Sequence, residues 1–336
     1  MGVSIPGPVQ AAFVLQPQEG TRWVALRAAA STGVPLLLLW ATGHLEWSLF
    51  STFGAFASVY GRGESHRARF VMQVTVGMLL TVAVSLGTLV GCLDSRAWIA
   101  IVASAAIAAV GAVLSDLQQW HPPGPMFFVF AVASTASIPA QPGTAATAAV
   151  VASAAAAFAV LVGAVGAVRS GWGAPRPRPA RTIDHALRRH VARSVVAVAL
   201  AGTIATSVGI GRPYWAMIAA VVPLAARELD AQLTRALQRA AGTTIGLLLA
   251  AVLLELRLSG LVVILIVTAL LAMTEALVGR NYALALVTIT PLALLMVHLA
   301  SPTPTGVLLW DRWIETIIGV VVGAGVGYLT RARPTR

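Results

Sequence analysis

Arg235 and Arg239 stand four residues apart in the run RELDAQLTRALQRAAG, residues 227–242. On a helix that spacing puts both guanidinium groups on one face, and guanidinium groups grip carboxylates in two-pronged fashion. Arg227 opens the run; Glu228 and Asp230 fall early and the other arginines late, the order a helix dipole favours. The chemistry this points to is capture of a small organic anion, with Arg67 and Arg69 extending the basic set. The same arginines also fit a plainer role as positive topology markers facing anionic lipid and water. Tyr214 and Trp215, with Trp47 in a matching position, would stack on an aromatic ligand or form an interfacial aromatic belt.

Three acids lie in or at the end of apolar runs: Asp116, Glu275 and Glu315. Carboxylates within a membrane are costly, face a bundle interior and often relay protons. Ion pairing is the alternative, since Glu275 is close to Arg280 and Glu315 lies within a turn of Asp311 and Arg312. The six histidines are scattered without metal-ligand spacing. All 23 basic residues are arginine, which removes a Walker-type phosphate lysine and any Schiff-base lysine. Cys92 is the single cysteine, so disulfides within the chain and thiolate clusters are excluded. No nucleophile with a recognisable base stands out. An enzyme, a cofactor, a metal and a nucleic-acid partner are therefore not expected.

The elements that must position these residues are membrane spans. The chain is 58% hydrophobic and 10% charged, with mean hydropathy +0.83, whereas a soluble domain carries about a quarter charged residues. At roughly 20 apolar residues per span, 336 residues hold about a dozen. The apolar runs place a first set near 23–43, 46–60, 70–92, 97–115, 126–140 and 144–168, and a second near 191–210, 213–226, 240–255, 259–278, 281–299 and 307–329. The first residues lack the basic start of a cleaved signal peptide, so the first span is expected to anchor the chain. With these spans, 19 of the 23 arginines fall on one side, which predicts cytoplasmic termini in a cell membrane.

A linker rich in Pro, Gly and Arg, residues 169–190, divides the chain into halves at 1–168 and 191–336. The halves resemble each other: Trp47 aligns with Trp215 and Arg67 with Arg235, and, after one inserted residue, Gly77 with Gly246. Six spans per half make the repeat parallel, with a pseudo-two-fold axis along the membrane normal. The expected fold is thus an all-α membrane protein of about twelve transmembrane helices in two six-helix repeats. Segments 46–60 and 213–226 are too short to cross a core of roughly 30 Å and occupy matching positions, which points to a cavity between them. Pro122, Pro123, Pro125 and Pro291 predict a second pair of broken helices. Gly319, Gly323 and Gly327, spaced G-x-x-x-G, predict close helix packing.

The stretches GRPYWAMIAAVVPLAARELDAQLTRALQRAAGTTIG, RNYALALVTITPLALLM and DRWIETIIGVVVGAGVGYL resemble the fusaric acid resistance, or aromatic acid exporter, family. More distantly they resemble the membrane part of plant aluminium-activated malate transporters. The resemblance covers about the last 140 residues. It assigns interest to Tyr214, Trp215, Arg235, Arg239, Gly242, Thr243, Gly246, Asn281, Tyr282 and Thr290. It implies outward transport of weak aromatic or other organic acids, driven by membrane potential or a proton gradient. Two other roles fit the residues: a passive anion channel, and a non-transporting subunit that scaffolds an envelope-assembly complex. The expected partners are the bilayer, a small organic anion, and a second copy of the chain or a periplasmic adaptor.

Overall fold

The computed structural model describes residues 14–16, 21–175, 181–226, 228–300 and 303–331. Twelve α-helices and no strand occur among them: α1 Thr21–Ala41, α2 Ser48–Ala55, α3 His66–Val90, α4 Arg96–Leu117, α5 Met126–Ala136, α6 Pro142–Ser170, α7 His185–Ser207, α8 Tyr214–Leu224, α9 Leu229–Glu255, α10 Gly260–Leu277, α11 Tyr282–Ala300 and α12 Thr305–Leu329. Short 3-10 turns flank α2 at Leu45–Trp47 and Phe56–Val59. Eight of the helices are long and apolar enough to cross a membrane. Their outward faces carry Val102, Val150, Leu161, Val165, Leu248, Val252 and Leu265, large apolar side chains that suit contact with lipid rather than water.

The short helices occupy the interior. All eleven residues of α8 and all eight of α2 are buried, so neither presents a face to lipid and neither needs the length of a span. At about 1.5 Å per residue α8 extends only roughly 16 Å. It begins immediately after Pro213 and holds Pro223 in its last turn. Proline has no N–H and cannot continue the ladder.

Pro291 behaves differently from the sequence-based expectation of a broken helix. α11 runs through it without interruption. α11 is the most enclosed of the candidate spans, and its packing on α9 and α10 holds it together across the one hydrogen bond that proline removes.

α9 also starts earlier than the apolar run implies, at Leu229 rather than 240, so the arginine segment is its first third. A helix of 27 residues spans about 40 Å, longer than a bilayer core.

Glycine sets the closest approaches. A methyl group on Gly319 would lie 2.3 Å from the Ala216 carbonyl oxygen, and one on Gly323 2.4 Å from that of Ala220. The backbone of α12 thus rests directly on α8. Gly242 does the same for α9 against Ala283 of α11, and Gly87 for α3 against Val132 of α5.

Within the first half α3 packs on α5 and α6, and α2 on α6; within the second α9 packs on α11 and α12, and α8 on α12. Between halves the long contacts are crossed: α1 packs on α10, and α4 on α7. α5 meets α8, and α11 meets α2. Aromatic rings fill the middle. Phe53, Phe56, Phe127, Phe128, Phe130, Tyr60 and Trp120 form one cluster of edge-to-face and tilted ring contacts, which Phe130 joins to Tyr214 and Trp215.

Candidate functional site

The short helices end inside the protein, so their last carbonyl groups need partners. At the end of the α2 segment, Arg27 reaches from α1 to the Ser58 carbonyl at 3.4 Å. Gln73 of α3 donates to Ser58 and Tyr60 at 3.3 and 3.1 Å. At the end of α8, Gln232 donates to Ala226 at 2.8 Å. Beside the first of these ends, Arg62 joins the two halves. Its Nη2 donates to the Glu275 carboxylate at 2.9 Å and to the Glu275 backbone carbonyl at 2.7 Å. Arg69 donates to the Gly163 carbonyl at 3.2 Å, and its Nε has no partner among the described residues. In the loop before α5, His121 lies in the same positive field. Partial burial first, then Arg62 and Arg235, hold its imidazole below the ordinary value, with Glu64 opposing.

A second basic region surrounds the linker. Arg181 bridges Asp116, the penultimate residue of α4, at 2.8 Å. The pair opens onto a cavity of about 640 Å³ lined also by Trp120, Arg189, His190 and Arg193, with Ala225 and Ala226 from the end of α8. The Asp184 side chain accepts from the Leu187 N–H at 2.7 Å and so fixes the start of α7 against this cavity.

The third region is a buried polar column in the second half. The guanidinium carbon of half-buried Arg235, on α9, lies 6.0 Å from the Tyr282 ring centre. One turn further, Arg239 is 3% exposed and donates to the Tyr282 hydroxyl at 2.9 Å. Arg312 of α12 is 1% exposed. Its guanidinium carbon sits 4.0 Å over the Trp215 ring, and Nη1 donates to Thr316 Oγ1 at 3.1 Å. Trp215 in turn packs against Tyr214 and Phe130. Glu315, fully buried one turn along α12, has no side-chain hydrogen-bond partner among the described residues, and the Arg212 backbone N–H acts on its carboxylate. The charges of Arg239 and Glu315 both act on Arg312, and those of Arg312, Asp311 and Arg212 on Glu315. Arg212, in the loop before α8, donates to the Thr303 hydroxyl at 2.8 Å.

Residues 199–326, from within α7 to the last turns of α12, match the family described as fusaric acid resistance protein-like. Over 124 residues the chain is 32% identical to the uncharacterized membrane protein YvaC of Bacillus subtilis (strain 168). The match covers 37% of this chain and 20% of that one, so the chain spans about one fifth of its relative's length. No solved structure matches. With its apolar helices and this membrane relative, the chain is an all-α, multi-pass membrane protein.

The fusaric acid resistance-like segment contains the whole buried column. The structure brings together Arg235, Arg239 and Tyr282, and places Tyr214 and Trp215 with Arg312 and Glu315 in the interior, away from the lipid-facing surface. Because Arg312 covers the Trp215 ring, that face offers no stacking surface. Glu275 lies apart with Arg62, and Asp116 with Arg181. Arg67 is exposed, and Trp47, half-buried, stacks on His44 at 4.0 Å. Neither joins the column. Arg227 lies outside the described residues.

Sequence reasoning missed Arg312, Arg62 and Arg27 as interior groups. For Arg312 a signal was present: counted by threes and fours, Arg312, Glu315, Gly319, Gly323 and Gly327 form one stripe, the stripe that packs on α8.

Proposed function

We propose that this is a transporter, not an enzyme, of the cytoplasmic membrane, with both termini cytoplasmic, and that it exports small organic anions, aromatic or other weak acids. The observation that carries this reading is the pair of buried guanidinium groups, Arg239 and Arg312, in the family-matching segment. Buried cations are costly and persist where they bind something. Half-buried Arg235 at the start of the column would collect anions, and the crowd of arginines on the cytoplasmic side raises their local concentration. An inside-negative potential contributes about 2.3 kcal/mol per charge per 100 mV toward anion exit, so no nucleotide hydrolysis is needed.

The two-repeat organisation belongs to this proposal. The helix pairings of the halves correspond one to one: α3 with α5 and α6 against α9 with α11 and α12, and α1 with α10 against α7 with α4. The repeat would place α2 and α8 in equivalent interior positions, where sliding of one half on the other gives alternating access.

Purified protein in liposomes, loaded with labelled benzoate or succinate and given an imposed potential, tests the reading. Potential-dependent, saturable efflux that falls in Arg239→Gln supports it. Absence of flux for either acid refutes it, and unitary current steps in place of saturation favour a passive anion channel.

A further inference from the structure

α7 and α12 run side by side: Ala197, Ala201 and Ala205 of α7 cluster with Val326 of α12, and Ile318 and Val322 pack against them. α8 lies behind both. Beside this seam each helix presents an apolar stripe. Val196, Leu200 and Ile204 are exposed on α7, and Trp310, Trp313, Ile317, Val321 and Tyr328 on α12; each set falls on one helix face. The stretch from Trp310 to the end of α12 covers roughly 30 Å, the thickness of a bilayer core. The seam is thus a lipid-facing groove that runs from one interface to the other.

Where the stripe of α7 reaches the linker it turns basic. Counted by threes and fours back from Val196, the next positions are Arg193 and Arg189, and both line the cavity of about 640 Å³. Arg193 donates through Nε and Nη2 to the hydroxyl and the carbonyl of Thr330, just beyond α12. Arg189 is exposed and has no hydrogen-bond or ion-pair partner among the described residues. One turn apart, the two like charges act on each other unfavourably. The acids that line the cavity are engaged elsewhere, Asp116 with Arg181 and Asp184 with the Leu187 N–H. Next to Thr330, Arg331 lies 4.1 Å over the Tyr328 ring. Three guanidinium groups therefore gather at one end of an apolar groove.

We infer that this end of the seam binds one anionic phospholipid: Arg189 and Arg193 hold the phosphate in the mouth of the cavity, Arg331 flanks it, and an acyl chain lies along Val196, Leu200 and Ile204. Charge complementarity selects the head, because basic pockets between helices take anionic lipid headgroups. The apolar stripe that continues from the arginines into the bilayer selects the tail. A soluble anion would use the arginines and leave the stripe to bulk lipid. Arg188, exposed one residue away and outside the cavity lining, has neither the cavity nor the stripe and serves as the contrast. The inference does not depend on the transport reading; it gives this basic cluster a ligand drawn from the membrane itself.

The purified full chain, washed free of lipid in a neutral detergent, is titrated with dioleoylphosphatidylglycerol, with dioleoylphosphatidylcholine and with inorganic phosphate, and followed by Tm and by native mass spectrometry. Expected are one phosphatidylglycerol retained per chain and a rise in Tm of about 5–10 °C at about a hundredfold excess over half-saturation, with no such rise from the other two. At roughly fivefold in affinity per arginine beside an anionic headgroup, Arg189→Gln should raise the half-saturating concentration about fivefold, and Arg189→Gln with Arg193→Gln about 25-fold. Arg188→Gln should leave it unchanged. If the double variant does not fold, Arg189→Gln alone decides, because that exposed side chain holds no other described residue in place. Equal stabilisation by phosphatidylcholine, equal weakening in Arg188→Gln, or wild-type binding in Arg189→Gln overturns the site. A rise in Tm with inorganic phosphate equal to that with lipid reduces it to a soluble-anion site and overturns the lipid class. Displacement of the lipid by benzoate makes the cavity part of the transport path and overturns the inference while leaving the transport reading standing.

Discussion

Removing Arg62 tests how the two halves are held at one end. Its side chain is 13% exposed and that of Glu275 9%, so the pair is largely withdrawn from solvent, and Arg62 also supplies the hydrogen bond to the Glu275 carbonyl. Breaking a buried pair by deleting one partner costs about 3–5 kcal/mol, because the other charge is left uncompensated. Arg62→Met therefore destabilises by about 3 kcal/mol or more, and Glu275→Met by a similar amount. Replacing both removes two desolvation penalties together with one attraction, so the double variant loses less than the sum, with a coupling of roughly 2 kcal/mol. At roughly 2–4 °C per kcal/mol, each single substitution lowers Tm by about 6–12 °C. Thermal unfolding in detergent, followed by tryptophan emission, reads all four corners of the cycle. Single variants within about 0.5 kcal/mol of wild type, the range of ordinary surface changes, or a double variant equal to the sum of the singles, would refute the claim that this contact clasps the halves.

The glycine stripe gives an internal contrast. Gly319→Ala puts a methyl 2.3 Å from a backbone oxygen, whereas a methyl on Gly325 meets nothing within 4 Å; the first should lose about 1–3 kcal/mol and the second gain up to about 1 kcal/mol, as read from Tm. His121, whose imidazole is held below its ordinary value, binds fewer protons folded than unfolded. Stability should fall as pH drops below about 6.5 until the folded-state value is passed, and His121→Asn should flatten that part of a stability-against-pH curve. In liposomes, Arg239→Gln should slow benzoate efflux by about tenfold, equivalent to roughly 1.4 kcal/mol, while Arg22→Gln, at an exposed position, should leave it unchanged.

Much of the helical layout was legible in the amino-acid sequence, because lipid leaves few choices: a long apolar run must be a helix. The exceptions are instructive. The apolar window stopped at the charges of residues 227–239, but Ala, Leu, Gln and Arg are strong helix formers, and α9 continues through them. Pro291 marked a break, but α11, enclosed by its neighbours, runs through it. For the site, Arg235 and Arg239 could be placed on one helix face, but the depth of Arg239 depends on Tyr282 from α11, which no local spacing shows. On charge alone Arg312 and Glu315 fit an ion pair within one turn; set beside the glycines four and eight positions beyond Glu315, they fall on the buried stripe. The Arg62–Glu275 contact joins residues 213 positions apart and has no local signature.

The crossed pairing of α1 with α10 carries a consequence for biosynthesis. α1 ends at Ala41 and α10 begins at Gly260, so at roughly 5–20 residues per second the first helix waits on the order of 10–40 s in the bilayer before its principal neighbour is made. During that interval its inward face, with Ala28, Ser31, Thr32 and Leu36, must be shielded by lipid, an insertase or another nascent helix. A ribosome that stalls midway leaves a product whose seam cannot close.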